Sequence, residues 1–121
     1  MKVAVLGASS NPERYSNKAI KMLLAHKHEV FPVNPAQKQI EGLNVVPALD
    51  KLPGDIHTIT VYVSPEISSG MDKQLVSVRP ARVIFNPGTE NPALAKALDA
   101  AGIKTVEACT LVMLSTGVFE K

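Results

Sequence analysis

Two hydrophobic rhythms take turns along this chain. Val3-Ala4-Val5-Leu6 is an unbroken apolar run that stops at Gly7, the pattern of a parallel strand covered on both faces. From Ser16 to Ala25 the rhythm is helical, with Ala19, Ile20, Met22, Leu23 and Leu24 on one face. Glu29 to Val33 predicts a second strand, with Pro32 marking its end. Gly42 opens a turn, Val45-Val46 predicts a short third strand, and Leu49 to Leu52 one helical turn closed by Pro53-Gly54. Ile56 to Val63 is the clearest strand, with Thr58, Thr60 and Tyr62 between Ile59, Val61 and Val63.

Ser64 suits an N-cap, Pro65 a first helical position and Glu66 a first turn, so a helix is expected there. Ile67, Met71, Leu75 and Val78 would form its apolar face. Arg82 to Phe85 predicts a fifth strand. Asn91-Pro92 repeats the cap signal before Leu94, Ala95, Leu98 and Ala101, and Gly102 ends that helix. Lys104 to Val106 predicts a sixth strand. Periodicity leaves the apolar tail from Ala108 to Leu114 undecided. Strands separated by helices imply right-handed βαβ units and a parallel sheet between helix layers. The expected fold is α/β, a Rossmann-like three-layer sandwich with a five- to six-stranded, mainly parallel sheet. One domain is expected over residues 1–121.

Composition narrows the function. The chain has 121 residues, 45% of them hydrophobic, which supports one sizeable core and argues against disorder. A net charge of only +2 leaves no electrostatic footprint for nucleic acid. Met1 to Ala8 runs into Ser9, Ser10 and Asn11 too soon for an export signal. No segment approaches the roughly 20 apolar residues of a membrane helix. No membrane partner is therefore expected, and the expected location is cytoplasmic. The lone Cys109 excludes an internal disulfide and a cysteine-cluster metal site.

Ligands of such sheets bind beyond the carboxyl ends of the strands, where strand order reverses. Three loops should converge there: Gly7 to Ser16, Asn34 to Lys38, and Ser64 to Glu66. The first has the makings of an anion cradle. Gly7 permits close backbone approach, Ser9, Ser10 and Ser16 offer hydroxyls, Arg14 offers charge, and the helix start offers N–H groups. The alternative is a plain strand-to-helix turn capped by Ser16. Tyr15 could stack on a base, bond a phosphate or pack over the helix start. The dinucleotide fingerprint is incomplete, because only Gly7 is present and the second strand ends in Val33-Asn34-Pro35 without an acid. A P-loop is excluded, since no Gly-Lys-Ser/Thr occurs.

Gly7-Ala8-Ser9, Pro12, Arg14, Ser16, Pro32-Val33-Asn34-Pro35, Gly42, Val61-Tyr62-Val63-Ser64-Pro65, Asn86-Pro87-Gly88 and Cys109 to Leu114 together resemble the single-domain bacterial coenzyme A-binding proteins. Their fold is similar to the N-terminal domain of the succinyl-coenzyme A synthetase α subunit. The resemblance covers essentially the whole chain. It implies that Gly7, Ala8 and Ser9, with Arg14 and Ser16, meet the phosphates of coenzyme A or an acyl-coenzyme A. It implies that Asn34 and Pro35 border ribose and adenine, and that Val63, Ser64 and Pro65 form the opposite wall. Lys38 becomes a candidate for the 3′-phosphate. The first loop has fewer glycines than the synthetase loop, and Phe85-Asn86-Pro87-Gly88 departs from the family's aromatic and Gln-Pro-Gly. The ligase phosphohistidine belongs to a domain this chain lacks.

Little else points to catalysis. His26 and His28 are expected to face a helix carboxyl end and its dipole. His57 falls at the end of its strand opposite the crevice. Cys109, among Ala108, Leu111, Val112 and Met113, is expected to be a buried thiol with a raised pKa. Met22, Met71 and Met113 are read as core filler. The leading expectation is a non-enzymatic coenzyme A-binding module. Its rivals are an NAD, NADP or ADP binder, an acyl transferase using Cys109, and an interaction subunit with a decayed pocket. A second copy of the chain, or an enzyme that uses acyl-coenzyme A, is the expected macromolecular partner.

Overall fold

A computed structural model describes every residue from Met1 to Lys121. In chain order the elements are β1 (Lys2–Leu6), α1 (Tyr15–Ala25), β2 (Glu29–Val33), β3 (Gln39–Ile40), β4 (Leu43–Asn44), a 3₁₀ turn (Leu49–Lys51), β5 (Thr58–Val61), α2 (Pro65–Ser68), α3 (Asp72–Val78), β6 (Arg82–Phe85), α4 (Pro92–Ala100), β7 (Lys104–Glu107) and α5 (Thr110–Ser115). Five strands form one sheet in the order β2-β1-β5-β6-β7, and every pairing in it is parallel.

The apolar runs explain the layers. Successive strand residues point to opposite faces. Val3, Val5 and Ile84 therefore join Ile20, Leu23, Leu114 and Phe119 under α1 and α5. Ala4, Leu6, Val83 and Phe85 join Leu75, Leu94 and Leu98 under α3 and α4. With both faces covered, the expected Rossmann-like sandwich is what forms.

Three local expectations change. The helix expected through Ser64 to Val78 breaks after Ser68. Ser69 Oγ donates to the Pro65 carbonyl at 2.7 Å, and Asn91 Nδ2 donates to Ser68 Oγ at 2.9 Å. Two serines beside Gly70 offer the backbone partners other than a helical ladder, so the chain restarts at α3. The strand expected at Val45-Val46 reduces to one parallel bridge between Val33 and Val46. The pairing there is instead a hairpin, β3 with β4, turned by Glu41 and Gly42 at φ 50° and 76°. The undecided tail becomes α5, followed by a segment that buries Phe119 completely.

That tail changes the reading of the histidines. His26 sits at the α1 carboxyl cap, but His28 Nε2 lies 2.6 Å from Glu120 Oε2 and Nδ1 lies 3.1 Å from the amino group of Met1. An ammonium can only donate, so Nδ1 accepts and Nε2–H donates to the carboxylate. His28 is thus a tail anchor rather than a dipole cap. Beside it, Arg82 donates to Thr58 Oγ1 and to the Phe119 carbonyl, both at 3.0 Å, and stacks 4.5 Å over the Phe119 ring. Hydrogen bonding from His28 holds the Glu120 carboxyl below its ordinary value of 4.5. A depressed folded-state value means that the stabilisation is present above 4.5 and is lost as pH falls through the folded value. Glu120→Gln should therefore lower the urea midpoint near neutral pH, and the deficit should close as the acid range is entered.

Candidate functional site

From β1 the chain crosses to β2 on one side, and β5 lies on the other, so strand order reverses between β1 and β5. Their carboxyl ends carry the loops expected to converge. Gly7 sets how close those loops come. It adopts φ +85°, and a Cβ there would lie 2.8 Å from Val63 Cγ1 and 3.0 Å from the Tyr62 carbonyl carbon. Only glycine allows both the dihedral and the contact.

Side chains then tie the loops together. Asn34 Nδ2 donates to the Ala8 carbonyl at 2.8 Å, while Asn34 Oδ1 accepts from the amides of Ala36 and Gln37 at 2.7 and 3.0 Å. Gln37 Oε1 accepts from the Ser10 amide at 3.2 Å. Asn17 Nδ2 donates to the Ser9 carbonyl at 3.0 Å and to Glu41 Oε2 at 3.1 Å, which fastens the β3–β4 turn to the first loop. Asn34 is thus committed to the scaffold, more than the sequence alone suggested.

What these ties leave over defines the chemistry. The amides of Ser9, Tyr15 and Ser16 have no partner in the protein. Two of them belong to the first turn of α1, where a helix has no internal acceptors. Ser16, only 4% exposed, keeps an unpartnered hydroxyl on the cavity wall. Ser64 stands at the cap position of α2, but its side chain makes no capping bond and it lines the same cavity. Arg14 lines it too, exposed and unpaired with any carboxylate.

This central cavity has a volume of about 710 Å³. Gly7, Ala8, Ser9, Arg14, Tyr15, Ser16, Asn34, Val63 and Ser64 line it as the sequence suggested. Glu13, Gln37, Tyr62, Pro87, Gly88 and Thr89 also line it, and they were not singled out. Tyr62, Pro87 and Gly88 stood inside recognised motifs, so a signal existed for them. Glu13 and Gln37 lay in loops expected at the crevice, and only Thr89 gave no signal.

Two smaller cavities flank it. On the β2 side a slot of about 320 Å³ shares Gly7, Asn34 and Val63 with the centre and adds Pro35, Pro47, Ile67 and Met71. Met71 therefore forms a wall of this slot as well as packing on the core. Pro65 and Lys38 line neither space. Pro65 opens α2 behind the wall, and Lys38 is exposed one residue past Gln37. On the β6 side a cleft of about 250 Å³ is bounded by Tyr15, Tyr62, Asn86, Pro87, Cys109 and Leu111.

Cys109 corrects an expectation. It is half-buried on that cleft rather than sealed in the core. The interior position goes to the next residue, because polar partners await it there. The Thr110 amide donates to Asn86 Oδ1 at 2.9 Å, and the Thr110 and Thr60 hydroxyls are 2.8 Å apart. Asn86 Nδ2 completes the network on Thr60 Oγ1 and the Val61 carbonyl at 2.6 and 2.9 Å. The buried Tyr62 hydroxyl lies against this network without a hydrogen bond of its own, and burial pushes its pKa up to about 12. His57 sits at the amino end of β5, away from all three spaces.

Residues 1–115 match the family described as CoA binding domain. This chain belongs to that family. A solved structure of an uncharacterized protein is 38% identical, with a TM-score of 0.90 over 98% of this CoA-binding-domain chain and 97% of that one. The uncharacterized protein YneT of Bacillus subtilis is 28% identical over 75 residues, 62% of this chain, and the match spans only 56% of that relative. A dinucleotide-forming acetyl-coenzyme A synthetase of Ca. Korarchaeum cryptofilum, solved with phosphate and ADP, shares the fold. It is 20% identical with a TM-score of 0.77, over 88% of this chain and 25% of that one. Family membership supports coenzyme A binding in general.

Gly7→Ala should destabilise the folded domain by about 2–4 kcal/mol in chemical denaturation, from a left-handed dihedral together with crowding against the Val63 side chain and the Tyr62 carbonyl. Cys109, being open to the cleft, should be alkylated by iodoacetamide in the folded protein without denaturant, as read by intact mass.

Proposed function

We propose that this chain binds coenzyme A or an acyl-coenzyme A as a non-catalytic module, with each part of the ligand in a cavity of matching polarity. The observation that carries the reading is the unpartnered Ser16 hydroxyl beside the open amides of Ser9, Tyr15 and Ser16. Ser16 lines the cavity, so its hydroxyl and these amides are open to a ligand, and a helix start favours an anion. The pyrophosphate therefore belongs over the α1 amino end, with Gly7 and Ala8 beneath it and Arg14 at the rim. Adenine belongs in the slot between Pro35 and Pro47 on one side and Val63 and Ile67 on the other, where the walls are apolar. Ser64 meets the ribose–phosphate junction. Tyr15 closes the outer side, 68% exposed and able to cover bound ligand.

Lys38 takes the 3′-phosphate. It is an exposed cation without an ion pair, on the loop that carries Gln37 into the cavity. Gln37, a neutral residue, also weakens the case for NAD, whose ribose hydroxyls call for a carboxylate after the second strand. NADP remains the rival that the same cations would suit. A module of this kind would hold its ligand for an enzyme that consumes or makes the thioester.

Calorimetric titration tests the assignment. Ser16→Ala should weaken coenzyme A by about 1.5–3 kcal/mol, roughly tenfold or more in Kd, as expected for a hydrogen bond to a charged group. Lys38→Ala should bring the affinities for coenzyme A and dephospho-coenzyme A together. Tight NADP binding with no heat from coenzyme A would overturn the reading.

A further inference from the structure

We propose that the cleft bounded by Tyr15, Tyr62, Pro87, Cys109 and Leu111 is an acyl subsite, so that the protein binds short apolar coenzyme A thioesters more tightly than coenzyme A itself. This rests on the coenzyme A reading above and adds the class of thioester.

The argument begins with the order of the spaces. The slot joins the central cavity through Gly7, Asn34 and Val63, and the central cavity joins the cleft through Tyr15, Tyr62 and Pro87. The three therefore lie in a row along the carboxyl edge of the sheet, from the β2 side to the β6 side. A ligand with its base in the slot and its phosphates over α1 has its remaining arm directed at the cleft. The row is apolar, then polar, then apolar, and an acyl-coenzyme A has that sequence of parts.

The cleft's lining then decides what the end of the arm can be. Its lining holds no Asp, Glu, Lys, Arg or His side chain. The Tyr62 phenol is held neutral, and its hydroxyl faces the Thr60–Thr110 pair rather than an opening to solvent. The Asn86 amide is spent on Thr60, the Val61 carbonyl and the Thr110 amide. A carboxylate placed here would lose its water and gain no partner, which is costly. A short alkyl chain loses nothing and leaves water for the faces of Tyr62 and Leu111. At about 250 Å³ the cleft is the smallest of the three spaces, which favours short chains over long ones.

The test is a ladder of ligands: coenzyme A, acetyl-, butyryl- and succinyl-coenzyme A, titrated against the whole chain by calorimetry. Affinity should rise by about fourfold for each methylene buried, and succinyl-coenzyme A should bind no more tightly than coenzyme A. Leu111→Phe, which fills the cleft, should flatten the ladder. Independently, butyryl-coenzyme A should slow iodoacetamide alkylation of Cys109 in the native protein, whereas ADP should not. Equal affinities along the ladder with unprotected Cys109 would overturn the acyl subsite and leave coenzyme A binding intact. Preference for the succinyl ester would overturn it too. Failure of every coenzyme A species to bind would overturn this inference together with the reading it rests on. If Leu111→Phe fails to fold, the wild-type ladder and the alkylation protection decide the matter.

Discussion

The contact of Gly7 with the Tyr62 backbone and the Val63 side chain is the constraint on which the rest of the site depends. A side chain at Gly7 would push the β1 loop off the β5 loop by occupying space 2.8 Å from Val63 Cγ1. Separation there would open the floor shared by the slot and the central cavity, since Gly7 and Val63 line both. The same glycine lets two successive amides, Gly7 and Ala8, reach the Val33 carbonyl at 3.2 Å. The chain can then turn sharply enough to present the α1 amino end to the crevice.

Around that contact the scaffold spends its polar side chains on itself. Asn34 holds the first two loops together, and Asn86 holds β5, β6 and the start of α5 together. Each places an amide where several backbone groups would otherwise be buried without partners, which is expensive in a low-dielectric interior. The consequence is selective. Among the groups without a protein partner, the Ser16 hydroxyl and the amides of Tyr15 and Ser16 gather at one helix start, where an anion is the natural complement. At the opposite edge of the sheet, Arg82, His28, Glu120 and Phe119 clamp the tail that follows α5. That clamp keeps α5 packed on α1 and keeps Cys109 and Leu111 on the cleft.

Polarity along the edge then suits one shape of ligand. A dinucleotide would bring a second sugar and a charged or polar ring toward the cleft, where the Asn86 amide is already committed and the Tyr62 hydroxyl is turned inward. The alkyl end of an acyl chain, beyond the thioester carbonyl, makes no such demand. The family match supports coenzyme A binding in general, and the polarity of the cavities is compatible with it.

Much of this was legible in the residues. Continuous apolar runs such as Val3 to Leu6 and Val83 to Phe85 can be buried only with helices on both faces, and that requirement alone determines a parallel α/β sandwich. Gly7 and the serines after it announced a tight strand-to-helix loop, because glycine and small hydroxyls at such a junction answer a local steric and hydrogen-bonding need. Other features depended on residues distant in the chain. Whether Ser64 caps a helix or faces a cavity turned on α2 breaking after Ser68, which Asn91 helps to hold. Whether Cys109 or Thr110 enters the core turned on Thr60 and Asn86 having partners to offer. His28 became a tail anchor only because Glu120 folds back to it. Local sequence determines which conformations and which faces are affordable to each segment. Only the tertiary structure decides which polar groups meet, because a hydrogen-bond partner is chosen by distance in space and not by distance along the chain.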